Sequence, residues 1–370
     1  MAAEPVLERC RLRMSGDWAA PTCTQDQVDA VFSIPMTDQD REEICTLNFD
    51  MWRYEETPQR LLPCLFHIFE ELGLVSSLAL PRDKLQRFLF SVFMTYRPNP
   101  FHNFMHAFTV THSMFLFIRS PELVDKLSPM HKLSSVLAAL MHDLDHPGLT
   151  NKFARQADVP MFKKFPSSTL ENHHLCCAKT LLALPGQDIL AHDEALKSSS
   201  LLLLSKLILA TDLGGHANYM DNFMSSVADN TFSLDRVESQ ELLLCMLLKF
   251  ADISNEVRPW PVSVRWTIAL LTEFFEEGDL EGQCGFEVSP FLNRTKVAPP
   301  ATQIGFIQFF VIPLVDAITQ VVPSMTVMKR LVEHKVAQWQ EMKEGTRRDE
   351  LIERFQAVHQ KDLQPSVPPA

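Results

Sequence analysis

Glycine and tyrosine are scarce in this sequence, which has 11 glycines and 3 tyrosines among 370 residues, against 26 phenylalanines. β-Sandwiches and doubly wound α/β folds need frequent glycine turns, so the composition argues against both. The apolar content of 46% is enough for a large buried core and excludes a chain that is disordered as a whole. The composition therefore predicts a mostly helical protein.

The sequence also lacks long apolar runs, C-x-x-C pairs and an excess of basic residues. The longest leucine-rich run, residues 201–210, is interrupted by Lys206, and the N-terminus has no apolar stretch of the signal-peptide type. We therefore expect no secretion signal and no membrane span. Eight cysteines without C-x-x-C spacing indicate free thiols and a cytoplasmic location. The net charge of −12 argues against nucleic acid or an anionic membrane as partner.

The predicted organisation is one helical domain between two irregular ends. Residues 1–44 are polar and aperiodic, which predicts a loosely ordered N-terminal arm. Residues 45–360 contain successive apolar segments of helical period, without repeats or strand-rich blocks. We expect them to form one compact, all-α, multi-helix bundle. The Pro-rich residues 361–370 predict a tail.

Histidines and carboxylates are concentrated in a few short apolar segments. In FHNFMH, His102 and His106 are four residues apart, which predicts two imidazoles on one helix face; two ordinary histidines are an equal alternative. In HDLDHPGLTN, we expect His142 and His146 one helical turn apart, with Asp143 pointing elsewhere. A carboxylate beside a metal-binding histidine can contact two ions, so this segment predicts a metal site, with a solvated helix end as the alternative.

Two further segments carry carboxylates with competing explanations. Glu171 follows a serine with the S-x-x-E spacing of a capping box, which would make it an ordinary helix-start residue. His173 and His174 are adjacent, so they cannot both face one site. Asp252 ends a long apolar run, where a carboxylate needs either a metal ion or an ion pair, for instance with Arg258.

The candidate ligands, two nitrogen and two oxygen donors, suit Zn²⁺. A bridging Asp143 suits a harder second ion, Mg²⁺ or Mn²⁺, held mostly through water.

In chain order, FHNFMH, HDLDHPGLTN, LENHH, ATDLGGH, DISNEVRP and QIGFIQF resemble the class I 3′,5′-cyclic-nucleotide phosphodiesterases. The resemblance covers about residues 45–345, and HD-x-x-H-x-x-x-x-N, from His142 to Asn151, is the signature of that family. DISNEVRP and QIGFI are most similar to the class nine, cGMP-specific members. The resemblance implies the helical HD-type fold and a cyclic nucleotide as partner, and leaves open a homodimer.

The resemblance also implies roles for individual residues. The zinc ligands would be His106, His142, Asp143 and Asp252, with Asp143 also touching the Mg²⁺ or Mn²⁺ ion. The waters of that second ion would be held by His146, Glu171 and Thr211, and the general acid would be His102. The purine base would contact Gln303, Phe306 and Leu270, with Asn255 and Glu256 orienting the glutamine. Phe274 departs from the class nine members, which have tyrosine there.

The implied activity is two-metal hydrolysis of a 3′,5′-cyclic nucleotide, with cGMP expected, to the 5′-monophosphate, which ends cyclic-nucleotide signalling. Specificity for cAMP or for both nucleotides is the first alternative. A non-catalytic relative that binds cyclic nucleotide is a second, although no implied ligand or acid is lost. A metal phosphohydrolase acting on ordinary nucleotides is a third; it would share His142 and Asp143 but would not use Gln303 and Phe306 as a base clamp.

Overall fold

The computed structural model describes residues 3–342 and 346–353, and its regular elements within these ranges are helices, with no strand. The α-helices are α1 (Ala3–Arg13), α2 (Gln25–Phe32), α3 (Asp38–Glu43), α4 (Leu61–Glu71), α5 (Leu74–Ser77), α6 (Arg82–Thr95), α7 (Phe104–Ile118), α8 (Pro129–Met141), α9 (Asn151–Gln156), α10 (Pro160–Lys164), α11 (Thr169–Ala183), α12 (Glu194–Ala210), α13 (His216–Ala228), α14 (Val237–Asp252), α15 (Trp260–Gln283), α16 (Pro299–Phe306), α17 (Ile312–Thr319) and α18 (Thr326–Gln340). A π-helical turn, Ile307–Val311, joins α16 to α17.

Helices α7, α8, α12 and α14 pack against one another at the centre of the bundle. All of the 15 residues of α7 except Leu116 are buried. A helix without a polar face must be surrounded by other elements, so α7 occupies the core. The polar side chains of α7, including His106, therefore need partners inside the protein.

The predicted loosely ordered arm is not observed over residues 3–44, which contain α1, α2 and α3. Thr24 and Thr37 begin α2 and α3 with capping boxes, and Val28 and Ile44 are fully buried. Helices of eight and six residues expose most of their side chains. Such short helices show no apolar period in the sequence, which explains the wrong prediction.

Two terminal features of the prediction lie outside the described residues, namely the Pro-rich tail at 361–370 and the domain end at 354–360. Within the described part, Pro299–Thr319 is long and apolar enough to cross a membrane by length and composition alone, and 39% of its apolar window is buried. Core helices of proteins that cross no membrane also meet these two criteria, so the finding is weak evidence for a span.

Candidate active site

Four residues predicted as metal ligands lie together where three central helices meet. One ligand atom from each of His106, His142, Asp143 and Asp252 falls within 4.8 Å of the others. His106 is in the first turn of α7, His142 directly follows α8, and Asp252 ends α14. Both histidines are 1% exposed. Two imidazole nitrogens and two carboxylate oxygens form a donor set typical of zinc sites.

The hydrogen bonds of His142 show that this group fits a cation. Its Nδ1 donates to the carbonyl oxygen of Ala139 at 2.9 Å, so the lone pair of the neutral ring is on Nε2. That Nε2 lies 3.1 Å from Asp143 Oδ2 and 3.2 Å from Asp252 Oδ1. A lone pair facing two carboxylate oxygens is repulsive unless a positive charge lies between them. Arg258, the alternative partner of Asp252, donates to residues of α7 instead.

The loop after α8 corrects the predicted geometry of the signature segment. Because α8 ends at Met141 and Asp145 has a φ of +57°, residues 142–146 are not one helical turn. Asp143 consequently does not point away from His142 but into the same group. His146 Nδ1 accepts a hydrogen bond from the Gly148 N–H at 3.0 Å, and burial lowers the pKa of His146 well below its usual value.

His102 is not on the helix that carries His106, because α7 begins at Phe104 with Asn103 as its N-cap. The two imidazole centroids nevertheless lie 5.7 Å apart. His102 Nδ1 is hydrogen-bonded to Glu273 Oε1. The other oxygen of Glu273 accepts from the backbone N–H groups of Phe101 at 2.9 Å and His102 at 3.0 Å.

The pair of His102 and Glu273 is ionised in the neutral range. Burial opposes the charge of His102, but the adjacent carboxylate outweighs burial and raises the pKa of His102 to about 9. Burial likewise opposes the charge of Glu273, but His102 outweighs it and lowers the pKa of Glu273 to about 2. A protonated histidine beside the predicted metal site is suited to donate a proton.

Glu273 is one of three buried glutamates spaced four residues apart along α15, which the sequence analysis missed. Glu277 accepts from the backbone N–H of Thr150 at 2.9 Å and from its hydroxyl at 2.6 Å. Glu281 accepts in the same way from the N–H and hydroxyl of Ser289. The sequence does contain a pattern that indicates this row, because acidic residues at i, i+4 and i+8 share one face of a helix.

A cavity of about 470 Å³ opens over these groups. Predicted site residues in its lining are His102, Asp143, His146, Glu171, Thr211 and Asp252. Residues in the lining that carried no predicted role include Asn151, His174, Asp212, Glu273 and Glu277. The structure thus brings two of the four predicted ligands, Asp143 and Asp252, to the lining of one cavity together with the predicted water-holding residues and the predicted acid.

Glu171 is a cavity residue and not part of a capping box. Ser168, the N-cap of α11, has a φ of +43° and makes no side-chain capping bond; its hydroxyl donates to Asp212 Oδ2 at 2.7 Å. Glu171 instead accepts from the Asn151 amide at 3.0 Å. Burial, followed by the nearby charge of Asp212, raises the pKa of Glu171 to about 7.

The adjacent histidines of α11 point in different directions, as predicted. His174 donates from Nδ1 to the carbonyl oxygen of Leu144 at 2.6 Å, which leaves its Nε2 at 3.7 Å from Asp143 Oδ1. His173 Nε2 is hydrogen-bonded to Asp145 Oδ2 at 2.8 Å. Only His174 therefore reaches the metal-ligand group.

The family profile described as 3′5′-cyclic nucleotide phosphodiesterase matches residues 101–332, the part of the chain that contains all the predicted ligands. The chain belongs to the 3′,5′-cyclic nucleotide phosphodiesterase family. This confirms the resemblance seen in the sequence motifs.

Two curated relatives of this phosphodiesterase have related names. The "cGMP-specific 3′,5′-cGMP phosphodiesterase 3" of Dictyostelium discoideum is 37% identical over 300 residues, which are 80% of this chain and 64% of the relative. The "High affinity cGMP-specific 3′,5′-cyclic phosphodiesterase 9A" of Mus musculus is 39% identical over 278 residues, which are 74% of this chain and 51% of the relative. The chain thus spans less than two thirds of the length of either relative.

A solved phosphodiesterase structure confirms the all-α fold. LmjPDEB1, solved in complex with IBMX, superimposes with a TM-score of 0.81 at 26% sequence identity. The match covers 87% of this chain and 98% of that structure.

Of the residues predicted to bind the base, Phe306 is the one that the structure places in a cavity shared with a residue of the metal-ligand group. Phe306 lines a small cavity together with Thr211 and Asp252. Gln303, three residues earlier on α16, is 5% exposed, and its Oε1 has no hydrogen-bond partner among the described residues. Leu270, Asn255 and Glu256 line neither this small cavity nor the cavity of about 470 Å³. The purine clamp therefore stays a prediction.

Glu256 differs from the prediction in one respect. Its Oε2 is buried without a hydrogen-bond partner, and among the described residues no hydrogen bond joins it to Gln303. Burial raises the pKa of Glu256 to about 7, although the nearby charge of Lys335 opposes that rise. The unpaired acceptors of Glu256 and Gln303 are buried polar atoms that a ligand could satisfy.

Proposed function

We propose that this chain hydrolyses a 3′,5′-cyclic nucleotide, preferentially cGMP, to the 5′-monophosphate and so ends a cyclic-nucleotide signal. The observation that supports it most is that Asp143 and Asp252, the two carboxylates of the four-residue metal-ligand group, line one cavity together with His102. Membership of the phosphodiesterase family supports the reaction type. The names of the two relatives, both cGMP-specific, support the choice of nucleotide.

The proposed cofactors are Zn²⁺ at the four-residue group and Mg²⁺ or Mn²⁺ at a second position. The zinc ligands would be His106, His142, Asp143 and Asp252, with Asp143 shared between the two ions. Around the second ion, His146, Glu171 and Thr211 would hold water molecules. When bound, two such ions supply an activated water at neutral pH and neutralise charge on the phosphoryl oxygens.

His102 would protonate the leaving O3′ of the nucleotide. Its Nδ1 is occupied by Glu273, so its Nε2 is the nitrogen available to the leaving oxygen. Because its pKa is about 9, His102 carries the required proton at neutral pH. His146 stays neutral beside it, since its Nδ1 accepts the Gly148 N–H and its Nε2 can only donate.

Recognition of guanine would depend on Gln303 and its neighbours. A glutamine amide can present either its oxygen or its NH₂ group to a purine edge, so Gln303 alone does not select between guanine and adenine. The oxygen of Gln303 is buried and unpaired, and is thus available to the N1–H of guanine. Phe306 would stack on the base and Leu270 would close the opposite side.

Hydrolysis assays with the purified chain test the proposal. We expect cGMP to be converted to GMP in the presence of Mg²⁺, more efficiently than cAMP is converted to AMP, and activity to disappear in a strong chelator and return with Zn²⁺ and Mg²⁺. Absence of turnover of both nucleotides in the metal-loaded protein would contradict the proposal. Binding of cyclic nucleotide without turnover would favour a non-catalytic relative, and turnover of ordinary nucleotides alone would favour a phosphohydrolase.

A further inference from the structure

Arg13, the last residue of α1, connects the N-terminal helix to the active site. α1 precedes residues 101–332, the region that the family profile matches. The guanidinium Nη2 of Arg13 donates to Asn99 Oδ1 at 3.5 Å, and the backbone carbonyl oxygen of Arg13 accepts from Arg97 Nη1 at 2.9 Å. One residue thus makes two separate contacts with the segment that leads into the site.

Asn99 holds together the two segments that carry His102 and His146. Its Nδ2 donates to the carbonyl oxygen of His102 at 2.9 Å and to that of His146 at 2.8 Å. Asn99 is 9% exposed, so these bonds are shielded from water. Since both protons of the amide point at carbonyl oxygens, its Oδ1 must point the other way, towards Arg13.

Gly148 gives the Arg13 guanidinium the space it occupies. A Cβ at position 148 would lie 2.7 Å from Arg13 Nη2 and 3.0 Å from Asn99 Oδ1. The φ of Gly148 is +65°, which other residues adopt only at a cost. The guanidinium therefore packs directly on the loop backbone, two residues after His146.

The second contact of Arg13 also leads to the loop after α8. Arg97, which donates to the Arg13 carbonyl oxygen, also forms a two-bond pair with Asp145, at 2.6 Å to Oδ1 and 2.9 Å to Oδ2. Asp145 lies between Asp143 and His146 in the chain. The end of α1 is therefore linked to this loop both through Asn99 and through Arg97.

Apolar packing fixes α1 in this position. Cys10 and Met14 are buried in an apolar cluster, separate from the main core, with residues of α9, α10 and the start of α11. The backbone N–H of Met161 donates to the Met14 carbonyl oxygen at 3.1 Å. The same part of the chain, residues 149–171, supplies one wall of the large cavity. α1 covers the back of that wall.

We propose that Arg13 is a positioning residue for catalysis. By fixing the Asn99 amide, it holds the backbone of His102 and of His146 in the positions in which their imidazole rings are in contact. Arg13 does not line the cavity and touches no reacting atom. The kinetic part of this inference rests on the proposed function, whereas its structural part does not.

The kinetic test uses Arg13→Met, which keeps the apolar stem and removes the donors, and Arg13→Lys, which keeps a donor. Arg9→Met is the matched control, because Arg9 is exposed on the same helix. We expect Arg13→Met to lower kcat about tenfold with KM changed less than about twofold, because misplaced catalytic groups slow the chemical step. Arg13→Lys should recover most of the loss, and Arg9→Met should match the parent.

Equal kcat in parent and Arg13→Met would overturn the inference. Equal losses of kcat in Arg13→Met and Arg13→Lys would also overturn it. Such a result would mean that a hydrogen-bond donor at position 13 makes no difference, as expected if Arg13 only packs. If the parent hydrolyses neither nucleotide, the proposed function fails and the exchange experiment below decides on Arg13.

Amide hydrogen exchange provides the readout that needs no activity. Arg13→Met should accelerate exchange in residues 99–106 and 142–150 about fivefold or more, because the hydrogen bonds of Asn99 open more often. Exchange in α18, which is remote from Arg13, should not change. Unchanged exchange in both site segments, or equal acceleration in Arg9→Met, would refute the positioning role whatever the substrate.

Discussion

The imidazole rings of His102 and His146 stack with their centroids 4.0 Å apart and their planes 19° apart. Their ionisation is nevertheless opposite. Glu273 keeps His102 protonated, with a pKa of about 9, whereas burial and then the positive charge of His102 lower the pKa of His146. Two chemically identical side chains thus differ in charge because only one of them has a carboxylate partner.

The first prediction is that kcat decreases as the pH rises through about 9, since the acid form of His102 is the active one and its pKa is about 9. Glu273→Gln removes the carboxylate that raises this pKa. The pH at which kcat of the variant begins to fall should therefore move down towards the ordinary pKa of histidine, and kcat at pH 8 should be lower than in the parent. The measurement is kcat between pH 6 and pH 10 for the metal-loaded parent and variant.

Glu276→Gln is the control for this experiment, because Glu276 is on the same helix but exposed. Its pH profile should coincide with that of the parent. If kcat of Glu273→Gln falls at the same alkaline pH as kcat of the parent, His102 is not the group whose ionisation limits turnover.

The second prediction distinguishes the metal-ligand role proposed for Asp252 from the general-acid role proposed for His102. Asp252→Ala opens the four-residue group and should lose both zinc and activity. His102→Ala should retain zinc and lose about two to four decades of turnover, the usual range for a general acid. Elemental analysis and kcat of both purified variants test this.

Two results would contradict that assignment. Zinc loss in His102→Ala would make His102 a ligand. Full activity of a zinc-free parent in strong chelator would exclude the two-metal reaction.

The sequence predicted, by residue type, four residues that the structure places together in one candidate metal-ligand group, but its helical-spacing arguments for the pairs His102/His106 and His142/His146 were wrong. Ligand chemistry depends on residue type, so histidines and aspartates in apolar surroundings were informative by themselves. The helical spacing arguments failed because α7 begins after His102 and α8 ends before His142. The residues are brought together by the ends of different helices, which local periodicity does not report.

The residues that sequence analysis missed have partners far away in the chain. Glu273 binds a residue 171 positions earlier, and Asn99 joins His102 to His146, 47 positions after Asn99. The spacing of Glu273, Glu277 and Glu281 marks a shared helix face but not what that face contacts, and Asn99 carries no local signal. Only the packing of α15 and of the loop after α6 against the site gives Glu273 and Asn99 their partners, so a single sequence could not predict those partners.

The third prediction concerns stability at Gly148. Gly148→Ala combines a positive φ with an overlap of the new Cβ with Arg13 Nη2, at 2.7 Å. Gly73→Ala is a matched control, because its φ is +67° and a Cβ there would meet no atom within 4 Å. Gly73→Ala should cost about 1–2 kcal/mol of unfolding free energy from the backbone alone. Gly148→Ala should cost more and also lower kcat, and denaturant unfolding of both variants measures the difference. Equal costs would mean that Arg13 moves aside freely.

The last prediction concerns the base. Gln303 is buried with an unpaired carbonyl oxygen, so a purine that hydrogen-bonds to it satisfies an acceptor that is otherwise unpaired. Gln303→Ala should lower kcat/KM for cGMP by an amount that corresponds to about 1–3 kcal/mol of lost transition-state stabilisation, the range for buried hydrogen bonds. It should lower kcat/KM for cAMP as well. Gln308→Ala, on the exposed side of the π-helical turn, is the control and should behave like the parent.

Measurements of kcat/KM for both nucleotides on the parent and the two variants decide between the outcomes. An unaffected Gln303→Ala would remove Gln303 from the substrate site. A parent that favours cAMP tenfold or more would contradict the cGMP preference while leaving the reaction type intact, and would direct attention to Phe274, which lines the cavity. In that case Phe274→Tyr should shift the ratio towards cGMP, because its hydroxyl adds a hydrogen-bonding group to the cavity in which the substrate would bind.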